Sequence, residues 1–341
     1  MNHKRTYIIA ELSANHNNDY KVAEDSIIAI KECGADCVKF QTYKAKSLSL
    51  NVDNEFFGQR KDGLWKGWRP YDLYKKGSMP YEWQKKLSEF AISIGLDWFS
   101  SPFDFEAVDF LEGINCPKYK IASFEIGDIP LIKYTAETGK PIIFSTGIAE
   151  LDDINLAIKT CLDVGNDKIS LLKCTSAYPS PYEEINLKTI PDMYKKFGFP
   201  VGLSDHTLGI EVPIAAVTLG ASIVEKHFIL DRVSKGLDAA FSLEPDEFKQ
   251  MVNSIRNIEK AIGKVNYNLT PKSIEARKRG RSLYAVKDIK KGEIFTSKNI
   301  RSLRPAAGLS PKHYFDLIGS KSSVEIKIGT PIRRDLILTD E

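Results

Sequence analysis

The sequence of 341 residues predicts an α/β fold, a closed (β/α)8 (TIM) barrel followed by a small β-rich domain. Eight short apolar runs alternate with helical stretches over roughly the first 260 residues. The first run lacks the G-x-G-x-x-G motif that marks a doubly wound dinucleotide-binding sheet, the competing fold. After residue 281 the helical pattern gives way to short β-like runs separated by glycine-containing turns.

The predicted elements follow one another in the order expected for a barrel. The strands are predicted at 7–10, 37–43, 97–103, 119–125, 141–147, 169–179, 200–206 and 222–228. Helical stretches are predicted between them, among others at 20–32, 81–95, 151–164, 183–197 and 211–219, with a final amphipathic helix at 245–262. Because each helix returns the chain to the same end of the sheet, we expect parallel strands.

Two segments interrupt the alternation. Residues 44–80 form a long insertion, rich in Phe, Trp and Tyr, between the second strand and its helix. Residues 264–281 are polar and then basic, which indicates a linker. We therefore expect a barrel domain at 1–263, a linker at 264–281 and a β-rich domain at 282–341.

The composition is that of a soluble globular protein, with 43% hydrophobic residues, 27% charged residues and a net charge of +3. So small a charge does not favour nucleic acid or an anionic membrane as a partner. No apolar run approaches the length of a membrane span. The five cysteines have neither zinc nor redox spacing, which predicts reduced thiols in a cytoplasmic protein.

The stretch GLSDHTLG at 202–209 places a serine, an aspartate and a histidine side by side. On a strand only alternate residues share a face, so Ser204 and His206 point one way and Asp205 the other. The run therefore cannot form a hydrolytic triad by itself. It predicts a Ser/His pair that faces one site.

Polar side chains lie at the predicted C-terminal ends of all eight strands, the end of a barrel that carries the chemistry. They are Glu11, Lys39, Gln41, Ser101, Lys120, Ser123, Glu125, Ser145, Thr146, Ser176, Tyr178, Ser204, His206, Glu225 and His227. A barrel interior is normally filled by Val, Ile and Leu, and burying polar groups is costly unless they pair or bind a ligand. This number of polar ends predicts a functional cleft.

The residue types indicate what the cleft binds. Two lysines, Lys39 and Lys120, with several hydroxyl groups suit a small substrate with two anionic ends. His206 and His227 suit a divalent metal such as Mn²⁺, Fe²⁺, Co²⁺ or Zn²⁺ with open positions. A further set of carboxylates is suited to metal, sugar hydroxyls or proton transfer. These are Glu11, Glu125, Glu225 and Asp238.

A series of motifs makes the prediction more specific. In order they are IIAELSANHN, GADCVKFQTY, SSPF, KIAS, STGIA, CTSAYP, GLSDHT and EKHF. Together they resemble the sialic acid synthase family, and 282–341 resembles that family's antifreeze-like (SAF) domain. AELSANH and the aromatic GLWKGWRPYDLY insertion resemble the pseudaminic acid branch. The resemblance implies a transferase that condenses phosphoenolpyruvate with the open-chain aldehyde of an N-acetylated amino hexose, giving a nonulosonic acid and phosphate.

The resemblance also implies roles for the residues above. Lys39 and Ser101 match the carboxylate site of phosphoenolpyruvate, and Lys120, Ser123, Ser145 and Ser204 match its phosphate site. His206 and His227 match the ligands of Mn²⁺ or Mg²⁺, with Co²⁺ as a further candidate. Glu11 and Asp238 match residues near the metal and sugar, and Glu125 matches a carboxylate that transfers a proton. Together with Glu225 they are the predicted catalytic carboxylates. Gln41, Ser176 and Tyr178 match sugar contacts.

The SAF resemblance implies a domain-swapped homodimer, in which Arg304 reaches the acyl-sugar in the partner's site. Ser176 stands where some neuraminate synthases have asparagine, which favours a sugar other than N-acetylmannosamine. In the pseudaminic branch that sugar is 2,4-diacetamido-2,4,6-trideoxy-L-altrose. A neuraminate or legionaminate synthase, the latter using 2,4-diacetamido-2,4,6-trideoxymannose, remains the alternative.

Three further functions compete with this interpretation. An octulosonate- or heptulosonate-phosphate synthase needs arginines for a sugar phosphate, and the early arginines do not lie on strand ends. These are Arg5, Arg60, Arg69, Arg232 and Arg256. A barrel metallohydrolase would need more metal ligands than two histidines. A sugar-binding module with a degenerate site would be expected to lack the complete lysine, serine and histidine set.

Overall fold

A computed structural model describes residues 5–338; residues 1–4 and 339–341, the outer ends of the first and last predicted domains, lie outside the described residues. The chain divides into two compact units after Gly263. Within residues 5–338, no helix has both the length and the apolar character needed to cross a bilayer.

The first unit contains a closed barrel of eight parallel strands in sequence order, with the last strand paired to the first. The strands are β1 (Tyr7–Glu11), β2 (Cys37–Thr42), β3 (Asp97–Pro102), β4 (Tyr119–Ile121), β5 (Ile142–Ser145), β6 (Ile169–Cys174), β7 (Val201–Asp205) and β8 (Ile223–His227). The helices are α1 (Tyr20–Glu32), α2 (Ala45–Leu48), α3 (Pro70–Gly77), α4 (Tyr81–Ser93), α5 (Phe105–Gly113), α6 (Ile129–Glu137), α7 (Leu151–Asp163), α8 (Thr189–Phe197), α9 (Glu211–Thr218) and α10 (Pro245–Ile262). The predicted (β/α)8 architecture is confirmed.

Helix α1 illustrates how local sequence produces these elements. Asp19 caps its N-terminus by accepting a hydrogen bond from Lys21 N at 2.8 Å. Ala23, Ile27 and Ile30 recur at helical spacing and are fully buried, each isoleucine contributing about 1.5–3 kcal/mol. Gly34, at φ = +83°, follows the helix in the left-handed conformation that glycine adopts most readily.

Three element boundaries differ from the prediction by four residues or more. Strand β4 ends at Ile121 rather than at residue 125. A 3₁₀ turn follows at Ser123–Glu125, and it brings Glu125 to the cavity described below. Strand β6 ends at Cys174 rather than at residue 179. The helix predicted from residue 183 begins at Thr189, because Asn186 has φ = +50° and interrupts the helical conformation.

The second unit is small and largely irregular. Its helices are α11 (Pro271–Arg277), inside the predicted linker, and α12 (Tyr314–Leu317), and its strands β9 (Ser282–Ala285) and β10 (Ile300–Leu303) pair antiparallel. The rest of this unit contributes single bridges such as Ile289–Ile326 and Ser322–Ile337. Its core consists of Leu283, Ala285, Ile289, Phe295, Ile300, Leu317, Ile326 and Ile332.

Candidate active site

A cavity of about 600 Å³ opens at the C-terminal ends of the barrel strands. Its lining mixes polar groups with an aromatic wall. Among the lining residues are Ser13, Gln41, Tyr43, Leu48, Arg60, Trp65, Leu73, Tyr74, Phe103, Ser123, Glu125, Ser176, Tyr178, His227, Asp238 and Phe241. This is the position and the composition expected of a small-molecule site.

Below this cavity, two lysines and two glutamates form a buried cluster, called here the inner cluster. Lys39 Nζ lies 2.5 Å from Glu11 Oε2 and 2.9 Å from Glu225 Oε1. Lys120 Nζ lies 3.9 Å from Glu225 Oε1. The strand register brings these groups together, since Glu11 pairs with Lys39 between β1 and β2. All four side chains are buried.

The charges of the inner cluster shift one another's titration. Burial raises the pKa of the Glu225 carboxyl, but the ammonium groups of Lys120 and Lys39 outweigh burial and hold it well below its usual range. Burial lowers the pKa of Lys39 to about 8, against the attraction of Glu225. Glu225 is therefore ionised at neutral pH. An added anion would stabilise the charged form of Lys39, which burial disfavours.

The second lysine contacts one strand-end hydroxyl, and two other hydroxyls from neighbouring strand ends contact each other. Lys120 Nζ donates to Ser145 Oγ at 2.6 Å, and Ser123 Oγ accepts from Ser176 Oγ at 2.9 Å and from Ile148 N at 3.1 Å. A Cβ at Gly147 would lie 2.2 Å from Ser176 Oγ, so the turn after β5 needs glycine at this position. Hydroxyls around an ammonium form an arrangement suited to a phosphate group.

Two further predicted serines lie in the same barrel interior. Ser204 Oγ donates to Glu225 Oε1 at 3.2 Å. Ser101 is buried, and its Oγ has no hydrogen-bond partner among residues 5–338. Ser101 pairs with Gln41 in the register of β3 and β2, which places it beside the strand that carries Lys39. An unpartnered buried hydroxyl is suited to bind a ligand oxygen.

The two predicted histidines lie side by side, with ring centroids 5.3 Å apart. His206 Nδ1 lies 3.2 Å from the carbonyl oxygen of Thr175, which favours a proton on Nδ1 and leaves the Nε2 lone pair free. Burial lowers the pKa of His227 well below its usual range, so its imidazole is neutral and can act as a ligand. Its Nδ1 has no hydrogen-bond partner within the described chain.

Asp238 lies next to the histidine pair. Its Oδ2 is 4.0 Å from His227 Nδ1 and accepts a hydrogen bond from the Ser13 hydroxyl. Residues 5–338 contain no group of three or more His, Cys, Asp and Glu side chains arranged to hold a metal ion. The adjacent imidazoles, one with an unpartnered Nδ1, are two nitrogen donors of the type that a divalent metal ion accepts, and such an ion would need its other ligands from water or substrate.

Glu125 has the side chain best suited to move a proton. Burial raises the pKa of its carboxyl to about 7, although Lys120 acts in the opposite direction. Its Oε2 is buried without a hydrogen-bond partner in the described part of the chain. A carboxyl with this pKa exchanges a proton readily near neutral pH.

The remaining predicted sugar contacts divide into two groups. Gln41, Ser176 and Tyr178 line the cavity, and the Tyr178 ring lies 4.5 Å from the His206 ring. Arg304 follows β10 in the second unit and is exposed, so its predicted contact with a sugar stays a prediction.

Sequence reasoning missed part of the site. Arg60, Trp65 and Tyr74 line the cavity from the insertion between β2 and α4. The insertion's aromatic composition was the available signal, but arginines were weighed only at strand ends. Arg60 does not lie on a strand end, as predicted, but the insertion brings it into the lining of the cavity.

The outer faces of the same strands carry a different buried pair, called here the outer pair. Lys226 Nζ lies 2.5 Å from Asp205 Oδ2 and donates to the Thr207 carbonyl oxygen at 2.5 Å. Asp205 Oδ1 also accepts from Thr207 N at 3.1 Å. Asp205 thus points away from Ser204 and His206, as strand alternation predicts.

The comparisons with known proteins agree with this geometry. Residues 26–267 match the model of the NeuB family, and residues 280–338 match the SAF domain. The chain belongs to the NeuB family.

Other NeuB-family proteins resemble this chain over nearly its full length. It is 47% identical over 329 residues to the pseudaminic acid synthase of Helicobacter pylori, covering 96% of each chain. It is 38% identical to the N,N'-diacetyllegionaminic acid synthase of Legionella pneumophila, covering 96% of this chain and 93% of that one. The solved N-acetylneuraminic acid synthetase of Leptospira borgpetersenii, in complex with citrate, superposes with a TM-score of 0.71 at 31% identity, covering 80% and 90% of the two chains.

Proposed function

We propose that the protein is a pseudaminic acid synthase, a transferase that joins phosphoenolpyruvate to the open-chain aldehyde of 2,4-diacetamido-2,4,6-trideoxy-L-altrose. The observation that carries the proposal is the inner cluster, where two buried lysines and a group of hydroxyls lie beside the pair His206 and His227. The 47% identity to a pseudaminic acid synthase supports this substrate over its relatives.

The two lysines hold the two charged ends of phosphoenolpyruvate. Lys39, with Ser101, binds the carboxylate, while Lys120, with Ser123, Ser145 and Ser204, binds the phosphate. Because Lys39 and Lys120 both approach Glu225, the ligand's anionic groups compete with that carboxylate for the same ammonium protons. Binding therefore fixes the enol carbon C3 near the mouth of the barrel, where the sugar enters.

The sugar lies in the cavity above, with its aldehyde next to His206 and His227. His206 and His227 would hold a divalent ion, which we take to be Mn²⁺, Mg²⁺ or Co²⁺, and the ion would supply Lewis-acid polarisation of the aldehyde carbonyl. Glu11 and Asp238 orient the groups around that carbonyl, and Gln41, Ser176 and Tyr178 contact the sugar.

The reaction balances with one water molecule. C3 of phosphoenolpyruvate bonds to the aldehyde carbon, and Glu125 gives its proton to the aldehyde oxygen. Water then adds to C2 and returns one proton to Glu125. The bond between C2 and the bridging oxygen of the phosphate ester then breaks. C2 becomes a keto group, and phosphate leaves with the second proton. The ionised Glu225 keeps the lysines in place throughout.

The small domain completes the site in a homodimer. In this proposal catalysis belongs to 1–263, residues 264–281 link it to 282–341, and Arg304 reaches the acyl group of the sugar in the partner subunit. The enzyme works in the cytoplasm, where phosphoenolpyruvate is available.

The substrate is tested by incubating the purified protein with phosphoenolpyruvate, Mn²⁺ and each candidate sugar in turn. We expect phosphate release with the L-altrose derivative and a product of the mass of pseudaminic acid. Turnover only with N-acetylmannosamine or with the trideoxymannose derivative would replace the proposed sugar by a neuraminate or legionaminate precursor.

The metal site is tested independently of activity. Mn²⁺ binding followed by electron paramagnetic resonance should weaken by at least about tenfold in His206→Ala. The partly buried His313 of the second unit serves as the control, and His313→Ala should bind Mn²⁺ as the unmodified protein does. Unchanged Mn²⁺ affinity in His206→Ala would remove the assigned ligand.

A further inference from the structure

Three side chains of the insertion between β2 and α4 form one wall of the cavity. Arg60, Trp65 and Tyr74 all line it, and the Arg60 guanidinium lies 5.4 Å from the centre of the Trp65 ring. Arg60 also donates from a terminal nitrogen to Tyr74 Oη at 3.2 Å. These three residues are called here the insertion wall.

The insertion wall is fixed in place. Trp65 Nε1 donates to the carbonyl oxygen of Leu237 at 3.1 Å, which ties the insertion to the loop that carries Asp238. Within the insertion, Arg60 N donates to Trp68 O at 2.9 Å, and Gly67 N donates to Arg60 O at 2.9 Å. The backbone on both sides of Arg60 is therefore held by hydrogen bonds.

The charge of Arg60 is not neutralised by the protein. Within residues 5–338 no carboxylate lies in salt-bridge distance of its guanidinium, whereas Arg69 of the same insertion pairs with Asp72 at 2.7 Å. A guanidinium has five N–H donors, and a phenol oxygen and an indole face leave several of them free. These donors are available to an acceptor oxygen inside the cavity.

The lining of the cavity indicates which kind of oxygen this is. Arg60 is the only lysine or arginine among the described lining residues, and Glu125 and Asp238 contribute negative charge. A phosphate dianion carries two negative charges, and Arg60 alone would neutralise only one of them in this cavity. The nearby lining includes the apolar side chains of Leu48 and Leu73. A neutral amide with a methyl group suits such a wall better than an anion does.

The Tyr178 ring connects the insertion wall with the histidine pair. The Trp65 ring lies 6.0 Å from the Tyr178 ring, which in turn lies 4.5 Å from the ring of His206. If the aldehyde lies at the histidines, as the proposed function requires, the sugar chain passes Tyr178 and ends at Trp65 and Arg60.

We propose that Arg60 and Trp65 form a subsite for a second acylamino group, on the part of the sugar remote from the aldehyde. Arg60 donates hydrogen bonds to the amide carbonyl oxygen, and Trp65 contacts the acyl methyl group. This subsite rests on the proposed function and selects sugars with two acylamino groups over sugars with one.

The subsite is tested with Arg60→Gln, using Arg69→Gln as the control that removes a positive charge from the same insertion outside the cavity lining. A hydrogen bond from a charged donor predicts that KM for the diacetamido sugar rises by about 10- to 100-fold in Arg60→Gln. KM for phosphoenolpyruvate should stay within about twofold, which also shows that the variant is folded. Arg69→Gln should behave as the unmodified protein.

The outcomes separate the subsite from the function. An unchanged KM for the diacetamido sugar in Arg60→Gln overturns the subsite alone. An equal loss with N-acetylmannosamine, which has one acylamino group, also overturns it. Selective loss of N-acetylmannosamine 6-phosphate use would assign Arg60 to a phosphate instead. If the unmodified protein turns over no sugar, the proposed function fails, and calorimetric binding of the diacetamido sugar to the two proteins decides the subsite.

Discussion

The inner and outer faces of β7 and β8 bury charges in opposite ways. On the outer face, Lys226 and Asp205 form an ion pair. Lys226 also donates to the Thr207 carbonyl oxygen, and Asp205 accepts from Thr207 N. On the inner face, Glu225 Oε2 and His227 Nδ1 have no hydrogen-bond partner in the described chain. Burying an unpartnered polar atom costs about 1–3 kcal/mol, so the fold retains such atoms where a ligand can satisfy them. The difference is the one expected if the outer pair is structural and the inner cluster binds a ligand, as proposed above.

The largest expected effect comes from breaking the outer pair. Lys226→Met leaves Asp205 charged and buried without its partner, which should lower the free energy of unfolding by about 3–5 kcal/mol. Urea denaturation followed by tryptophan fluorescence measures it, since all four tryptophans lie in the barrel unit.

The control is the double variant Asp205→Leu/Lys226→Met, which removes both charges and should recover most of the loss. A loss below about 1 kcal/mol in the single variant would show that the outer pair is not structural.

The next effect concerns Glu125, whose pKa of about 7 is raised by burial. A carboxyl with a raised pKa in the folded state favours folding at low pH, and this stability is lost as pH rises from about 4.5 towards 7. Glu125→Gln has no proton to lose, so it should gain about 2–3 kcal/mol over the unmodified protein between pH 5 and pH 8. Activity should fall in the same variant.

Urea unfolding at the two pH values measures this gain, with the exposed Glu183→Gln as control. Parallel pH dependence in Glu125→Gln and the unmodified protein would mean that Glu125 titrates normally and is a poor proton carrier.

The smallest expected effect distinguishes two neighbouring serines. Ser101 Oγ has no partner in residues 5–338, whereas Ser100 Oγ is hydrogen-bonded to Thr42 Oγ1 at 2.6 Å. Ser101→Ala should leave stability unchanged or raise it by up to about 1 kcal/mol, while KM for phosphoenolpyruvate rises about tenfold.

Ser100→Ala should do the reverse, lowering stability by about 1 kcal/mol with KM unchanged. Steady-state kinetics and urea unfolding on both variants give the comparison. The same response in both would remove the distinction between a ligand hydroxyl and a structural one.

Much of the site follows from the alternation of residues along strands. Because strand residues share a face at every second position, the sequence alone places Ser204 with His206 and excludes Asp205. Alternation does not reveal partners across strands, since these depend on register. The pairing of Asp205 with Lys226 and the approach of Lys39 to Glu225 therefore had to be seen in the structure.

The insertion was harder to predict for a different reason. Residues 44–80 follow no single period, so sequence reasoning could recognise the aromatic composition but not the direction in which Arg60 and Trp65 point. Their position depends on a hydrogen bond from Trp65 to Leu237, which is 172 residues away in sequence. The predicted role of Arg304 is untested for another reason. It requires a contact with the sugar in a partner subunit, and the structure contains a single chain.

The proposed function requires that the inner cluster binds phosphoenolpyruvate. A ligand present at about 100 times its Kd stabilises the folded protein by about 2.7 kcal/mol. We predict a stabilisation of this size when phosphoenolpyruvate is added to the unmodified protein in urea unfolding, and its loss at the same concentration in Lys120→Met. No stabilisation of the unmodified protein by phosphoenolpyruvate, or an equal stabilisation of both proteins, would contradict the account.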